Sequence, residues 1–142
     1  MMLPAAVRAP LAVAGAATAC MGAFHFILPE LFGWARFTET LPAEIRWALF
    51  AMNAFLSMLL LGGGLATIVA IRRMSAGTLW LVGSMTAFWI FNTAYQLVRP
   101  FPNALAGWFL LGFALTVTFL YLIGLIAAGL KWRVISPAQA SY

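Results

Sequence analysis

Charged residues are scarce in this chain. Only 8% of its 142 residues are Asp, Glu, Lys or Arg, and 65% are hydrophobic; an average soluble domain is about 25% charged and roughly 45–50% apolar. So few charges could not cover the surface of a soluble fold. The composition therefore excludes an ordinary soluble enzyme and a disordered chain. The eight basic residues are scattered and form no stripe that nucleic acid would require.

Residues that commonly carry chemistry are also few. The chain has one cysteine, Cys20, which cannot form an internal disulfide, and one histidine, His25. A metal or haem site would need a second ligand beside His25, and we interpret the seven methionines mainly as apolar filler. No Ser/His/Asp set, zinc spacing or phosphate-binding loop is present. We therefore expect no catalytic residues and no metal site.

Long apolar runs are what the sequence has instead. A membrane-spanning helix needs about 20 mostly apolar residues. Pro10 suits a helix start, Pro29 suits a helix end, and two prolines follow the third run. The sequence predicts an all-α fold, a transmembrane four-helix bundle that occupies residues 1–142 as a single membrane domain, with spans at 10–28, 45–71, 76–98 and 104–130.

Two segments allow more than one interpretation. Residues 30–44, which hold all three acidic residues, are predicted to be an interfacial segment between spans one and two, and either a surface helix or a short re-entrant loop would fit. Residues 17–20 resemble a signal-peptide cleavage site or a lipoprotein box. The apolar run continues past them to Leu28, which favours an uncleaved first span.

The positions of the charges predict an orientation. With four spans, one side of the membrane has five basic residues and no acid, whereas the other has three basic residues balanced by Glu30, Glu39 and Glu44. Because the more positive side faces the cytoplasm, we expect a multi-pass protein of a bacterial inner membrane with both termini cytoplasmic. The basic residues of that side are Arg8, Arg72, Arg73, Lys131 and Arg133.

Strongly polar residues inside the predicted spans gather in the outer half of the membrane. Such residues are costly in lipid and usually face the bundle interior. We single out five as candidate ligand-binding residues: His25, Asn53, Asn92, Gln96 and Arg99. Three interpretations are open: hydrogen bonds that fix the bundle, a pocket for a polar headgroup, a quinone or a lipid, and an interface with a partner subunit. The nearly apolar inner half argues against an ion path.

The end of the first span carries the pattern Gly22-x-x-His25-Phe26-x-x-Pro29-x-x-Phe32. This pattern resembles one found at the same place in the DoxX-like group of small bacterial membrane proteins, which are four-helix bundles. The resemblance covers about 11 residues and the number of spans. It implies a subunit or accessory of a membrane redox assembly with quinone nearby, and it singles out His25, Pro29 and Phe32.

Two functional hypotheses follow. The first is a non-catalytic accessory or structural subunit of a larger membrane complex, which contacts lipid and other membrane subunits or copies of itself. Small residues on spans one and four suit contacts with other helices; these are Gly15, Ala19, Gly22, Gly124 and Ala128. The alternative is a quinone- or lipid-binding redox component, in which His25 hydrogen-bonds a quinone carbonyl.

Overall fold

A computed structural model describes residues 3–73 and 75–139, with side chains as far as Arg133. That part of the chain is helical and contains no strand, which confirms the all-α class. Its helices are α1 (Ala5–Leu31), α2 (Trp34–Thr38), α3 (Ala43–Ala70), α4 (Ala76–Val98) and α5 (Ala104–Gln139). By length and composition α1, α3 and residues 104–133 of α5 could each cross a membrane, whereas α4 is not in this group. These three helices indicate a multi-pass membrane protein.

The first helix is longer than predicted because its two prolines lie inside it rather than at its ends. Pro4 precedes the helix, and its carbonyl accepts the first backbone bonds, from Val7 and Arg8 at 3.0 Å. Pro29 lies two residues before the last helical residue. Since proline has no N–H, each internal proline leaves the carbonyl four residues earlier without its helical donor.

The bounds of α4 agree with the predicted span 76–98 because local signals set both ends. The Ser75 side chain accepts a hydrogen bond from the Thr78 backbone N–H at 3.0 Å, which satisfies one of the unpaired donors of the first turn. Pro100 prevents the helix from continuing beyond Arg99. In contrast, α5 runs to Gln139, nine residues beyond the predicted end of the fourth span.

Helix α1 lies between α3 and α5 and packs extensively on both, while α4 packs on α5 and only weakly on α3. Contacts between α1 and α3 involve the backbone directly, along a glycine seam formed by Gly15, Gly22 and Gly64. A Cβ on Gly22 would collide with the backbone of Leu61, and one on Gly64 would lie 2.5 Å from the Gly15 carbonyl oxygen. On the other side of α1, Leu11 fills the space beside Gly124.

The small-residue faces that suited helix contacts are therefore used within this chain. All five residues of that set are buried.

Helix α1 runs antiparallel to α3 and α5. It begins at the end of the molecule where α3 and α5 finish and α4 starts. We call this the basic end; it carries Arg8, Arg72, Arg73, Lys131 and Arg133. The opposite, acidic end carries α2 and residues Glu30, Glu39 and Glu44.

Candidate functional site

His25 of α1 and Asn53 of α3 meet near the acidic end. The Asn53 Nδ2 group donates a 2.8 Å hydrogen bond to the backbone carbonyl of His25. That carbonyl is free because its helical donor would be the N–H of residue 29, which is a proline. Asn53 is buried, so its amide supplies from α3 the bond that the sequence of α1 removes. The Ser57 hydroxyl in turn donates to the Asn53 carbonyl at 2.7 Å.

The same geometry fixes the roles of the two ring nitrogens of His25. Because Nδ2 of Asn53 donates to a carbonyl, its Oδ1 is the atom that faces His25 Nδ1, at 3.4 Å. An amide oxygen can only accept, so Nδ1 carries the proton. In the neutral ring Nε2 is then an acceptor. His25 is half-buried, and Nε2 has no hydrogen-bond partner in the described part of the chain.

Asn92 and Gln96 form a second polar pair, on α4. The spacing of four residues places both on one helix face, and Gln96 Nε2 donates to Asn92 Oδ1 at 2.7 Å. Both side chains are half-buried. No hydrogen bond links this amide pair to His25 or Asn53 within residues 3–73 and 75–133. Arg99, which follows α4, is exposed.

The structure therefore does not place the five candidate residues in one site. They form two separate pairs, and the fifth residue is an exposed arginine. Each pair makes a hydrogen bond of its own, and Arg99 belongs to neither. No group of three or more His, Cys, Asp or Glu side chains capable of holding a metal occurs among the described residues. All five side chains can form hydrogen bonds.

A third set of polar side chains, which we call the central network, lies in the interior and was not predicted from the sequence. It takes one residue from each long helix, and all four are buried: Thr18 of α1, Thr67 of α3, Trp89 of α4 and Tyr121 of α5. The indole Nε1–H of Trp89 donates to Thr18 Oγ1 at 3.0 Å. The Tyr121 hydroxyl oxygen lies 3.4 Å from Thr18 Oγ1 and 3.3 Å from Thr67 Oγ1.

The protons of this central network can be assigned by counting. Each threonine hydroxyl has one proton, and each lies closest to a backbone carbonyl of its own helix: Thr18 to Ala14 at 2.7 Å, Thr67 to Gly63 at 2.8 Å. With both threonine protons used, the single proton of the Tyr121 hydroxyl can be donated to one of the two threonine oxygens. Every polar hydrogen of the network then has an acceptor, as a buried site requires.

One sequence signal points to this network. Trp89 is the only tryptophan predicted deep inside a span, and a buried indole N–H needs an acceptor. The acceptor itself is Thr18, which lies 71 positions away in the sequence. A second hydrogen bond between threonines, Thr93 and Thr118 at 2.9 Å, joins α4 to α5.

Comparison of the chain with protein-family models, with curated proteins and with solved structures finds no match.

Proposed function

We propose that this protein is an integral membrane accessory or structural subunit of a larger membrane complex, possessing no catalysis of its own. The observation that carries the proposal is the half-buried amide pair on α4. Its internal bond leaves Asn92 Nδ2 and Gln96 Oε1 without a hydrogen-bond partner in the described part of the chain. An unpaired amide is costly in lipid, whereas a polar group on a partner helix would contribute about 0.6–2 kcal/mol by bonding it.

Helix α4 offers the surface for that partner. It packs on α5 and only weakly on α3, and its other side presents Trp80, Phe91 and Tyr95 with 78%, 71% and 58% of their surface exposed. Amide, hydroxyl and indole groups lower the hydropathy of α4, the long helix that is not among the three candidate membrane spans. A helix of another membrane subunit, or α4 of a second copy, would cover these groups together.

The proposal includes a transmembrane four-helix arrangement. At 1.5 Å per residue the 23 residues of α4 extend for about 34 Å, enough to cross a hydrocarbon core of about 30 Å. Helix α2 would lie in the interface, and the basic end would face the cytoplasm of a bacterial inner membrane, with both termini there. The resemblance of the His25 segment to DoxX-like proteins agrees with this arrangement.

Cysteine labelling tests the topology. Thr40→Cys places a thiol at the acidic end and Ser75→Cys places one at the basic end, each in a Cys20→Ser background. We expect a membrane-impermeant maleimide to label Thr40→Cys in intact cells and Ser75→Cys only after permeabilisation. Equal labelling of both in intact cells would contradict the four-span topology.

Purification from native membranes in mild detergent tests the subunit proposal. We expect a membrane protein to co-purify in a fixed ratio and to be lost when Asn92→Leu and Gln96→Leu are combined. The control is Phe55→Leu, which changes a residue that is 73% exposed and lies on α3 rather than α4. A monomer without a partner, or equal loss in the control, would count against the proposal.

A second candidate function, a quinone- or lipid-binding redox component, rests on the accessible Nε2 of His25. The proton assignment widens the ligand chemistry that we expected. Nε2 is the ring nitrogen left without a partner, and it would accept from a quinol hydroxyl in the neutral ring or donate to a quinone carbonyl in the protonated ring. Lipid extraction and mass spectrometry should find a stoichiometric quinone or quinol that His25→Ala loses; equal content in both samples would exclude this function.

A further inference from the structure

The basic end has no acidic side chain to balance its charge. The acidic residues of the whole sequence are Glu30, Glu39 and Glu44, and all three belong to the opposite end. Along α1 alone, Arg8 and Glu30 are 22 residues apart, or about 33 Å at 1.5 Å per residue, which is too far for either to screen the other. No acidic side chain of this sequence therefore neutralises the arginines of the basic end.

Two of these arginines line one groove between α1 and α3. The groove has a volume of about 370 Å³ and is lined by Arg8 and Arg72 together with Ala5, Ala9, Ala12, Ile68 and Ile71. Its polar groups are cationic, and the rest of its wall is aliphatic. We call it the Arg8 groove. Two cationic side chains beside aliphatic residues match a molecule that has an anionic head and a hydrocarbon tail.

Arg8 provides a second, independent observation. Its Nε atom is buried, yet it has no hydrogen-bond partner in the part of the chain that the structure describes. A buried cationic N–H that lacks an acceptor is costly, and the guanidinium group is well suited to bind phosphate through two parallel hydrogen bonds. The buried Nε itself is out of reach of another molecule, but the terminal guanidinium nitrogens of Arg8 are not buried and make no hydrogen bond within the described part of the chain. These terminal nitrogens are the donors that a phosphate from another molecule would reach.

We propose that the Arg8 groove binds the phosphate group of an anionic phospholipid, with an acyl chain along Ala12 and Ile68. Basic pockets between membrane helices commonly bind such headgroups. The apolar wall favours a lipid over free phosphate, because an inorganic anion would gain nothing from Ala9, Ala12 and Ile68. The site is independent of the proposed subunit function, since it lies at the other end of the molecule from the amide pair.

The experiment uses the full chain in detergent, titrated with phosphatidylglycerol or phosphatidylcholine and analysed by native mass spectrometry. We expect phosphatidylglycerol to bind more tightly, and Arg8→Gln or Arg72→Gln to weaken it about tenfold each, the factor expected when a hydrogen bond to a charged phosphate is lost. Arg73→Gln is the matched control: it removes the same charge from the neighbouring residue, which is exposed and does not line the Arg8 groove.

Three results would overturn the proposal. The first is equal binding of the two lipids. The second is an equal loss in the Arg73→Gln control, which would indicate a diffuse surface charge. The third is complete displacement of phosphatidylglycerol by inorganic phosphate, which would make the ligand a free anion. Arg8→Lys, which keeps the charge but not the planar guanidinium group, should bind between wild type and Arg8→Gln, and circular dichroism establishes that each variant is folded.

Discussion

The bond between Asn53 and the His25 carbonyl can be tested through the proline that makes it necessary. Asn53→Ala removes the 2.8 Å bond and leaves a buried carbonyl without a donor, a loss of about 1–2 kcal/mol in the free energy of unfolding. In a Pro29→Ala background, the N–H of residue 29 can bond the same carbonyl along the helix. Asn53→Ala should then cost about 1 kcal/mol less than it does in the wild type.

The assay is reversible unfolding in mixed micelles of increasing denaturing-detergent content, followed by circular dichroism, for the four members of this double-mutant cycle. Asn92→Ala is the control: the amide it removes bonds Gln96 rather than the His25 carbonyl, so its cost should be the same in the wild type and in the Pro29→Ala background. If Asn53→Ala costs the same in both backgrounds, the carbonyl left by Pro29 is not what Asn53 stabilises.

Three further predictions concern the same free energy of unfolding. Gly22→Ala should lower the free energy of unfolding by about 1–3 kcal/mol because the added methyl group meets the Leu61 backbone. Gly62→Ala is the control and should cause no loss, since Gly62 faces open space. Equal effects of the two substitutions would refute the glycine seam. Tyr121→Phe should cost about 1 kcal/mol by removing the hydroxyl that contacts Thr18 and Thr67, and an unchanged value would show that these contacts do not stabilise the fold. Gly33→Ala should cost about 1–2 kcal/mol because Gly33 has a φ of 59°, and no loss would show that this turn is not needed for stability.

The sequence predicts most where the determining interactions are local. The bounds of α4 follow from Ser75 and Pro100, which lie next to the residues whose conformation they limit. The Asn92–Gln96 bond follows from helical spacing alone. Helix α1 extends beyond the predicted span, and Pro29 does not end it. The helix can continue past Pro29 because Asn53 donates to the His25 carbonyl that the proline leaves unpaired. Asn53 lies 28 positions away in the sequence, so the local sequence does not reveal this bond.

The parts that the sequence could not predict depend on several helices at once. Threonine and tyrosine are ordinary residues of apolar helices, so nothing along the chain marks Thr18, Thr67 and Tyr121 as members of one network. The unpaired Nε of Arg8 is equally hidden, because the burial of a single atom depends on how α3 covers α1. The small residues of α1 illustrate the same limit: their spacing predicts a close helix contact but does not identify the partner helix.

The central network also has a consequence for axial slippage of the helices. In lipid, sliding one apolar helix along another exchanges one aliphatic contact for an equivalent one, and the hydrocarbon solvent does not oppose the movement. Hydrogen bonds depend on position: Tyr121 reaches Thr18 and Thr67 at 3.4 and 3.3 Å, and a slip of one helical turn, about 5.4 Å, would break both contacts. Four uncharged side chains thus help to set the register of the helices, together with the glycine seam between α1 and α3.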